Sequence, residues 1–183
     1  MSVSVYLPDS EPGPLSTMLA TSPSSLKGMR VAVLDNGKPN ADVVMTRAAE
    51  SLSARTGAVI SVVTKKGPRG LSANAAIPLA EDRLELLLSE ADVVLTGAAD
   101  CGSCTAYSLH DAIELERHGK PTVVMTTTEF EPVARTLSRS FGAPDTRLLV
   151  LPHPIGGTDE STLNAWADAS VDRLIALLTT NSI

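Results

Sequence analysis

Hydrophobic and polar positions along the chain follow two alternating rhythms. Short apolar runs, MRVAVLD (29–35), AVISVVT (58–64), ADVVLTG (91–97), PTVVMTT (121–127) and TRLLVLP (146–152), read as strands. The segments between them carry a helical period. In ADVVMTRAAESLSARTG (41–57), Val44, Ala48 and Leu52 recur every fourth residue, with Asn40 placed as N-cap and Gly57 past the end. In IPLAEDRLELLLSEA (77–91), Ala80, Leu84, Leu87 and Leu88 share one side and Pro78 is expected in the first turn. CTAYSLHDAIELERHG (104–119) stops at Gly119 with Pro121 behind it, and EPVARTLSRSFG (131–142) is a short helix. TDESTLNAWADASVDRLIALL (158–178) closes the chain, with Leu163, Ala167, Ser170, Leu174 and Leu178 on its inner face. Residues 1–27, rich in Ser and Pro and without steady period, are expected to form an arm on the domain or on a partner, or a loose tail.

Strands that alternate with helices imply right-handed βαβ crossovers and a parallel sheet. The expectation for residues 28–183 is one α/β domain, flavodoxin-like and doubly wound, with about five parallel strands flanked by helices. The strand order 2-1-3-4-5 is expected by analogy with such domains. Ligands of an open parallel sheet bind outside the carboxyl ends of its strands. The strand-to-helix loops that share that edge are DNGKPN (35–40), TKKGPRGLSANAA (64–76), AADCGSCT (98–105), TTTEF (126–130) and PHPIGGT (152–158). Polar, glycine and chemically capable residues gather in these loops, while the opposite turns RTG, SEA and HGK are short and bland. That asymmetry points to an active site on one edge.

Composition narrows the functional classes. The 183 residues suit one well-filled domain, and with 3% aromatic residues the core must be built from Ala, Val and Leu. A net charge of -6 without a basic cluster argues against nucleic acid as a partner. No apolar stretch is long enough to cross a bilayer, and the first residues lack the pattern of a signal peptide. A soluble, cytoplasmic protein with no membrane partner is expected. In a reducing compartment, two neighbouring cysteines are seldom a structural bridge.

Both cysteines of the chain, Cys101 and Cys104, fall within four consecutive positions at the start of the third helix. Free N–H groups and the positive end of the helix dipole stabilise a thiolate there. Gly102 and Ser103 let the backbone approach an anion, and the spacing permits a disulfide and also a nucleophile with a resolving thiol. Zinc would want more ligands than one such pair supplies, the loop lacks the Gly-Lys-Ser/Thr of a P-loop, and no arginine completes a phosphatase loop. A thioredoxin fold would place the pair earlier in the chain. No metal and no cofactor are expected. Asp100 is a candidate for fixing the loop or moving a proton, and His153, after the fifth strand, is the better general acid/base candidate than His110. His110 can also pair with Glu114. Asn36, Lys38 and Asn40 could bind a carboxylate, phosphate or thioester oxygen, with Lys65 and Lys66 either adding to that anion site or solvated. Ser103, Thr105, Thr127 and Glu129 complete the candidate substrate contacts. Asp111 is placed to reach a partner chain or the loop, and Trp166 to pack.

The run DCGSCT followed by YSLHDAIELERHGKPTVV, with LDNGKPNAD upstream and HP downstream, resembles the UGSC-like family over roughly residues 26–178. Some members of that family carry selenocysteine where this chain has Cys101. The resemblance implies that Cys101 is the chemically active position, and it suggests a distant relation to the selenoprotein subunits of glycine and proline reductases. It leaves the arm before Leu26 outside the match. Two activities are expected as alternatives. One is a cofactor-free thiol reductase in which Cys104 resolves an intermediate on Cys101. The other is a non-redox lyase, dehydratase or isomerase using Cys101 with His153 or Asp100 on a small acid or carrier-bound thioester. The protein is expected as a homodimer or as a heterodimer with a homologous subunit; a regulatory partner without activity is the third option.

Overall fold

A computed structural model describes residues 17–65 and 75–179. Ten elements alternate along the chain: β1 (Arg30–Asp35), α1 (Ala41–Thr56), β2 (Val59–Thr64), α2 (Glu81–Glu90), β3 (Val93–Ala99), α3 (Gly102–Arg117), β4 (Thr122–Thr127), α4 (Glu131–Ser140), β5 (Arg147–Leu151) and α5 (Glu160–Thr179). The strands form one sheet in the order β2-β1-β3-β4-β5, with every neighbouring pair parallel. This is the expected flavodoxin-like doubly wound arrangement. The winding reverses between β1 and β3, so DNGKPN and AADCGSCT leave the sheet on either side of the switch point, where such folds open a crevice.

Burial explains the apolar runs. Every residue of β3 and β4 is buried, because these strands have neighbours on both sides and helices on both faces. β2 lies at the sheet edge, and its Val59 and Val62 are more than half exposed. Helices α1 and α5 cover one face, where Val44, Ala48 and Leu52 meet Leu163, Ala167 and Leu174 over the strands. On the other face, α3 residues pack with both α2 and α4 in two smaller clusters around Leu87 and Leu115, and around Leu109 and Ala134.

Three boundaries differ from the sequence expectation, each for a local reason. α2 begins at Glu81, not Ile77. Pro78 lies in its lead-in, because the Leu79 N–H donates to Asp111 Oδ1 at 2.8 Å and Ala80 is extended at φ -70°, ψ 147°. β3 runs on to Ala99 through an irregularity, and α3 starts at Gly102, two residues earlier than expected. Residues 17–28 lie on the domain, with Leu26 in the core. Thr17 N–H donates to the Gly142 carbonyl and Ala20 N–H to Glu116 at 2.6 Å. Residues 1–16 of the arm fall outside the described residues.

Asp159 heads α5. Its carboxylate accepts from Ser161 Oγ at 2.6 Å, Thr162 N–H at 2.9 Å and Thr162 Oγ1 at 2.8 Å. These donors favour the charged form, as at any good N-cap, and hold the carboxyl down at about 2, the Ser161 contact contributing most. The contribution of this cap is therefore fully present above the ordinary carboxylate value of 3.8 and fades as pH falls from there through about 2. An NMR titration of the Asp159 carboxyl carbon should find its midpoint near 2. A midpoint at the ordinary value would show that the cap does not form.

Candidate active site

The site starts from the irregularity in β3. Pairing with β4 shifts register between Gly97 and Ala99, which marks a bulge. Gly97 has φ +108°, and a Cβ there would overlap the backbone carbonyl of Met125, so only glycine fits. Ala98, at φ +50°, is a non-glycine residue in left-handed backbone. The chain leaves this bend as Asp100 and then Cys101.

Cys101 is the N-cap of α3, with extended backbone at φ -150°, ψ 162°. Its Sγ accepts the Cys104 N–H at 3.3 Å, the N-cap to N3 bond that a serine or aspartate makes at other helix starts. The Cys101 carbonyl accepts from Thr105 N–H at 3.0 Å and from Thr105 Oγ1 at 2.6 Å. Thr105 is buried, so this candidate substrate residue is committed to the turn. Cys101 is half-buried, whereas Cys104 is fully buried. The two sulfurs stand at bonding distance and the Cα atoms are 5.5 Å apart, inside the span of a disulfide. Gly102 and Ser103 are exposed, with open space over the Gly102 Cα and Ser103 Oγ 3.8 Å from the Cys101 sulfur.

Neighbouring loops tie this turn down. Asp100 Oδ2 accepts the Gly156 N–H at 2.8 Å, joining the cysteine loop to the loop after β5. Asn40, at φ +66°, leaves α1 without a side-chain cap. Its Nδ2 donates instead to the carbonyls of Ile155 at 3.0 Å and Thr158 at 2.9 Å. Asn36 is buried, donates from Nδ2 to the Gly97 carbonyl, and accepts the Lys38 N–H at 3.0 Å. Both asparagines therefore spend their amides on backbone, and Lys38, partly exposed, is the residue of this loop with a side chain left for an anion.

The second half of the edge holds His153 and Thr127. His153 is exposed, and its Nδ1 lies 3.1 Å from the hydroxyl of buried Thr127. The ring packs at 47° to Phe130 with centroids 5.8 Å apart. Thr127 thus orients an imidazole, and Glu129 is exposed beside it. Among the described residues no hydrogen bond joins His153 to Cys101; they share the edge.

Other candidates lie elsewhere. His110 is exposed on α3 beside Ile113, Arg117 and Phe141, two turns beyond the thiol pair, and the structure does not bring it to them. Its nearest acid is Asp111 at 4.0 Å; Glu114 pairs instead with His118 at 3.5 Å. Lys65 is neither solvated nor an anion ligand. It is buried, donates to Asp111 at 2.5 Å and to the Ile77 carbonyl at 2.7 Å, and anchors α3 to the loop after β2. Burial pushes the Asp111 carboxyl up, against the pull of Lys65. Lys66 lies outside the described residues. No group of three or more His, Cys, Asp or Glu among the described residues is placed to hold a metal ion.

Sequence reasoning missed the bulge and its ties to Asn36, Thr126 and Gly156. The available signal was a glycine inside a strand-like run, which marks a bulge or a close backbone approach.

The sequence pattern that describes the UGSC family matches residues 5–180. The match takes in most of the arm, which corrects the expectation that it begins near residue 26. No curated protein matches the chain. Solved structures that resemble it include a flavodoxin of Streptococcus pneumoniae TIGR4, 14% identical, with a TM-score of 0.43 over 80% of this chain and 99% of that one. Another is the flavodoxin-like domain of a Synechococcus protein, 12% identical, with a TM-score of 0.42 over 79% of this chain and 97% of that one.

Proposed function

The chain belongs to the UGSC family, and from that membership and the geometry of the cysteine loop we propose that it is a cofactor-free, cysteine-dependent enzyme of reductase type acting on a small molecule. One observation carries the reading: Cys101 caps α3 at the carboxyl edge of the sheet, partly exposed, with the Cys104 sulfur at bonding distance behind it. A thiolate at Cys101 is stabilised by the Cys104 N–H and the helix dipole. It attacks the electrophilic atom of a substrate R–Y, forms a Cys101–R bond and expels Y as its anion. The Cys104 thiolate then attacks the Cys101 sulfur, closing the disulfide and expelling R as an anion. R and Y each take up one proton, and His153, oriented by Thr127, is the group on this edge to deliver one. The sum is R–Y plus two thiols to R–H, H–Y and a disulfide: two electrons pass from sulfur to substrate. An external dithiol restores the pair.

The amides of Gly102 and Ser103 belong to a first helical turn that offers them no acceptor, and Lys38 stands on the neighbouring loop. This favours a substrate with a carboxylate or similar anionic group. A second reading rests on the oriented His153: without electron transfer, Cys101 as nucleophile and His153 as proton carrier would serve a lyase, dehydratase or isomerase on a small acid or carrier-bound thioester.

The test uses reduced protein and an aromatic disulfide reagent whose released thiolate is coloured. The wild type is expected to release two thiolates per chain and to end as the Cys101–Cys104 disulfide, identified by mass spectrometry. Cys104→Ser is expected to release one and to remain a mixed disulfide on Cys101. If the wild type stops at one, or releases two but ends with a mixed disulfide on each cysteine, the resolving step is absent and the non-redox reading takes its place.

A further inference from the structure

We propose that the Gly97–Ala99 bulge is the device that aims Cys101 at the head of α3, with Asn36 and Thr126 as its positioning residues. The inference rests on the reading of Cys101 as the reactive thiol and adds to it the part of the fold that places that thiol.

A strand that continued in register would deliver the next residues along its own axis. An extra residue re-aims the chain. Here the re-aiming puts Ala98 into left-handed backbone, which is unfavourable for any residue with a Cβ. Such a conformation persists only where the surroundings over-determine it. Three neighbours do so. From the β1 side, Asn36 donates Nδ2 to the Gly97 carbonyl. Its own Oδ1 accepts the Lys38 N–H, so the amide is held in one orientation. From β4, Thr126, fully buried, donates Oγ1 to the Ala99 carbonyl at 3.1 Å. From behind, the Met125 backbone fills the place a Cβ of residue 97 would need.

These contacts flank the strained residue on both sides. A buried carbonyl stripped of such a donor is costly, so losing either one favours a rearranged bend. The next residue, Asp100, is pinned to Gly156, and Cys101 follows directly, its sulfur reaching the Cys104 N–H only from the extended backbone it has here. The hydrogen bonds of Asn36 and Thr126 go to backbone and not to the sulfur. They act through the backbone that carries it.

The test is the pH dependence of iodoacetamide alkylation of Cys101 in the reduced full-length protein, read by peptide mass. Thr126→Val keeps the shape of the side chain and removes the donor; Asn36→Leu does the same at the other carbonyl. Each is expected to lower the alkylation rate at neutral pH at least threefold and to move the rate profile to higher pH, while Thr126→Ser retains the wild-type profile. A wild-type profile in Thr126→Val or in Asn36→Leu, with circular dichroism showing a folded chain, overturns the role of that residue; in both, it overturns the proposal. If one variant does not fold, the other decides, and a Thr126→Ser variant that loses reactivity along with Thr126→Val also counts against the hydrogen bond. Alkylation needs neither substrate nor electron transfer. Its outcome therefore stands apart from the thiolate count above: a missing second thiolate with shifted alkylation profiles refutes the reductase and keeps the positioning role.

Discussion

Cys101→Ser is expected to slow the first thiolate release from an aromatic disulfide by about a hundredfold or more, and Cys104→Ser to leave it within about threefold. The asymmetry follows from where the two sulfurs sit. Cys101 is partly exposed on the edge that also carries Lys38 and His153, and it takes the N–H of Cys104 at 3.3 Å. Cys104 is fully buried. Thiolate, not thiol, is the nucleophile. A helix N-terminus lowers a cysteine pKa and raises the thiolate fraction at neutral pH, while burial among apolar groups does the reverse. With Cys101 gone, Cys104 has neither access nor ionisation in its favour. The serine put at position 101 preserves the capping contact, because its oxygen accepts from the N3 amide as well as sulfur does. The thermal midpoint should therefore stay within a few degrees of the wild type, and the lost rate would report chemistry. Stopped-flow absorbance of the released thiolate measures it. Equal rates in Cys101→Ser and wild type would move the nucleophile to Cys104 and remove the basis of the proposed reaction.

The elements that carry this site were legible because each advertises its own burial. A strand buried on both faces needs an unbroken apolar run, and β3 and β4 have one; a helix with one inner face needs a four-residue recurrence, and α1 and α5 have it. The parallel order then follows from alternation and handedness. What the pattern cannot encode is which polar residue meets which across the fold. Lys65 and Asp111 are 46 positions apart; the first reads from sequence as an anion ligand or solvated and the second as reaching a partner chain or the loop, and the fold places them against one another. Asn40 stood where a helix cap belongs, yet its left-handed backbone turns the amide toward residues 115 to 118 positions later. His110 lay near the cysteines in sequence, but α3 carries it two turns down its axis. The bulge is the instructive case. Gly97 looked like the end of a strand, but the chain stays in the sheet for two more residues, and the helix after it begins two residues earlier than periodicity alone suggested.

The largest stability effect is expected far from the thiols, at Glu116. Its side chain and that of Arg147 are each 2% exposed, and they form an ion pair at the amino ends of β4 and β5. Glu116 also accepts the N–H groups of Thr122 at 2.8 Å and Ala20 at 2.6 Å. Arg147 donates from Nη2 to the Ala20 carbonyl at 2.8 Å and to Ser22 Oγ at 2.9 Å, while its Nε has no partner among the described residues. The pair therefore stitches the arm to the sheet. Glu116→Ala strips a buried guanidinium of its counter-charge, which costs about 3–5 kcal/mol, or a fall in thermal midpoint of roughly 10 °C. Burial pushes the Glu116 carboxyl up more than its donors pull it down. The folded protein thus holds this proton to higher pH than the unfolded chain, and the group's own contribution to stability declines as pH rises through that window. A charge buried at such expense can be replaced: the double variant Glu116→Leu, Arg147→Met is expected to recover most of the loss. Urea denaturation of both variants measures the two effects, and Cys101 alkylation, at the opposite edge of the sheet, should stay within about twofold of wild type in the double variant. If Glu116→Ala unfolds at the wild-type urea midpoint, the arm is held by something other than this ion pair.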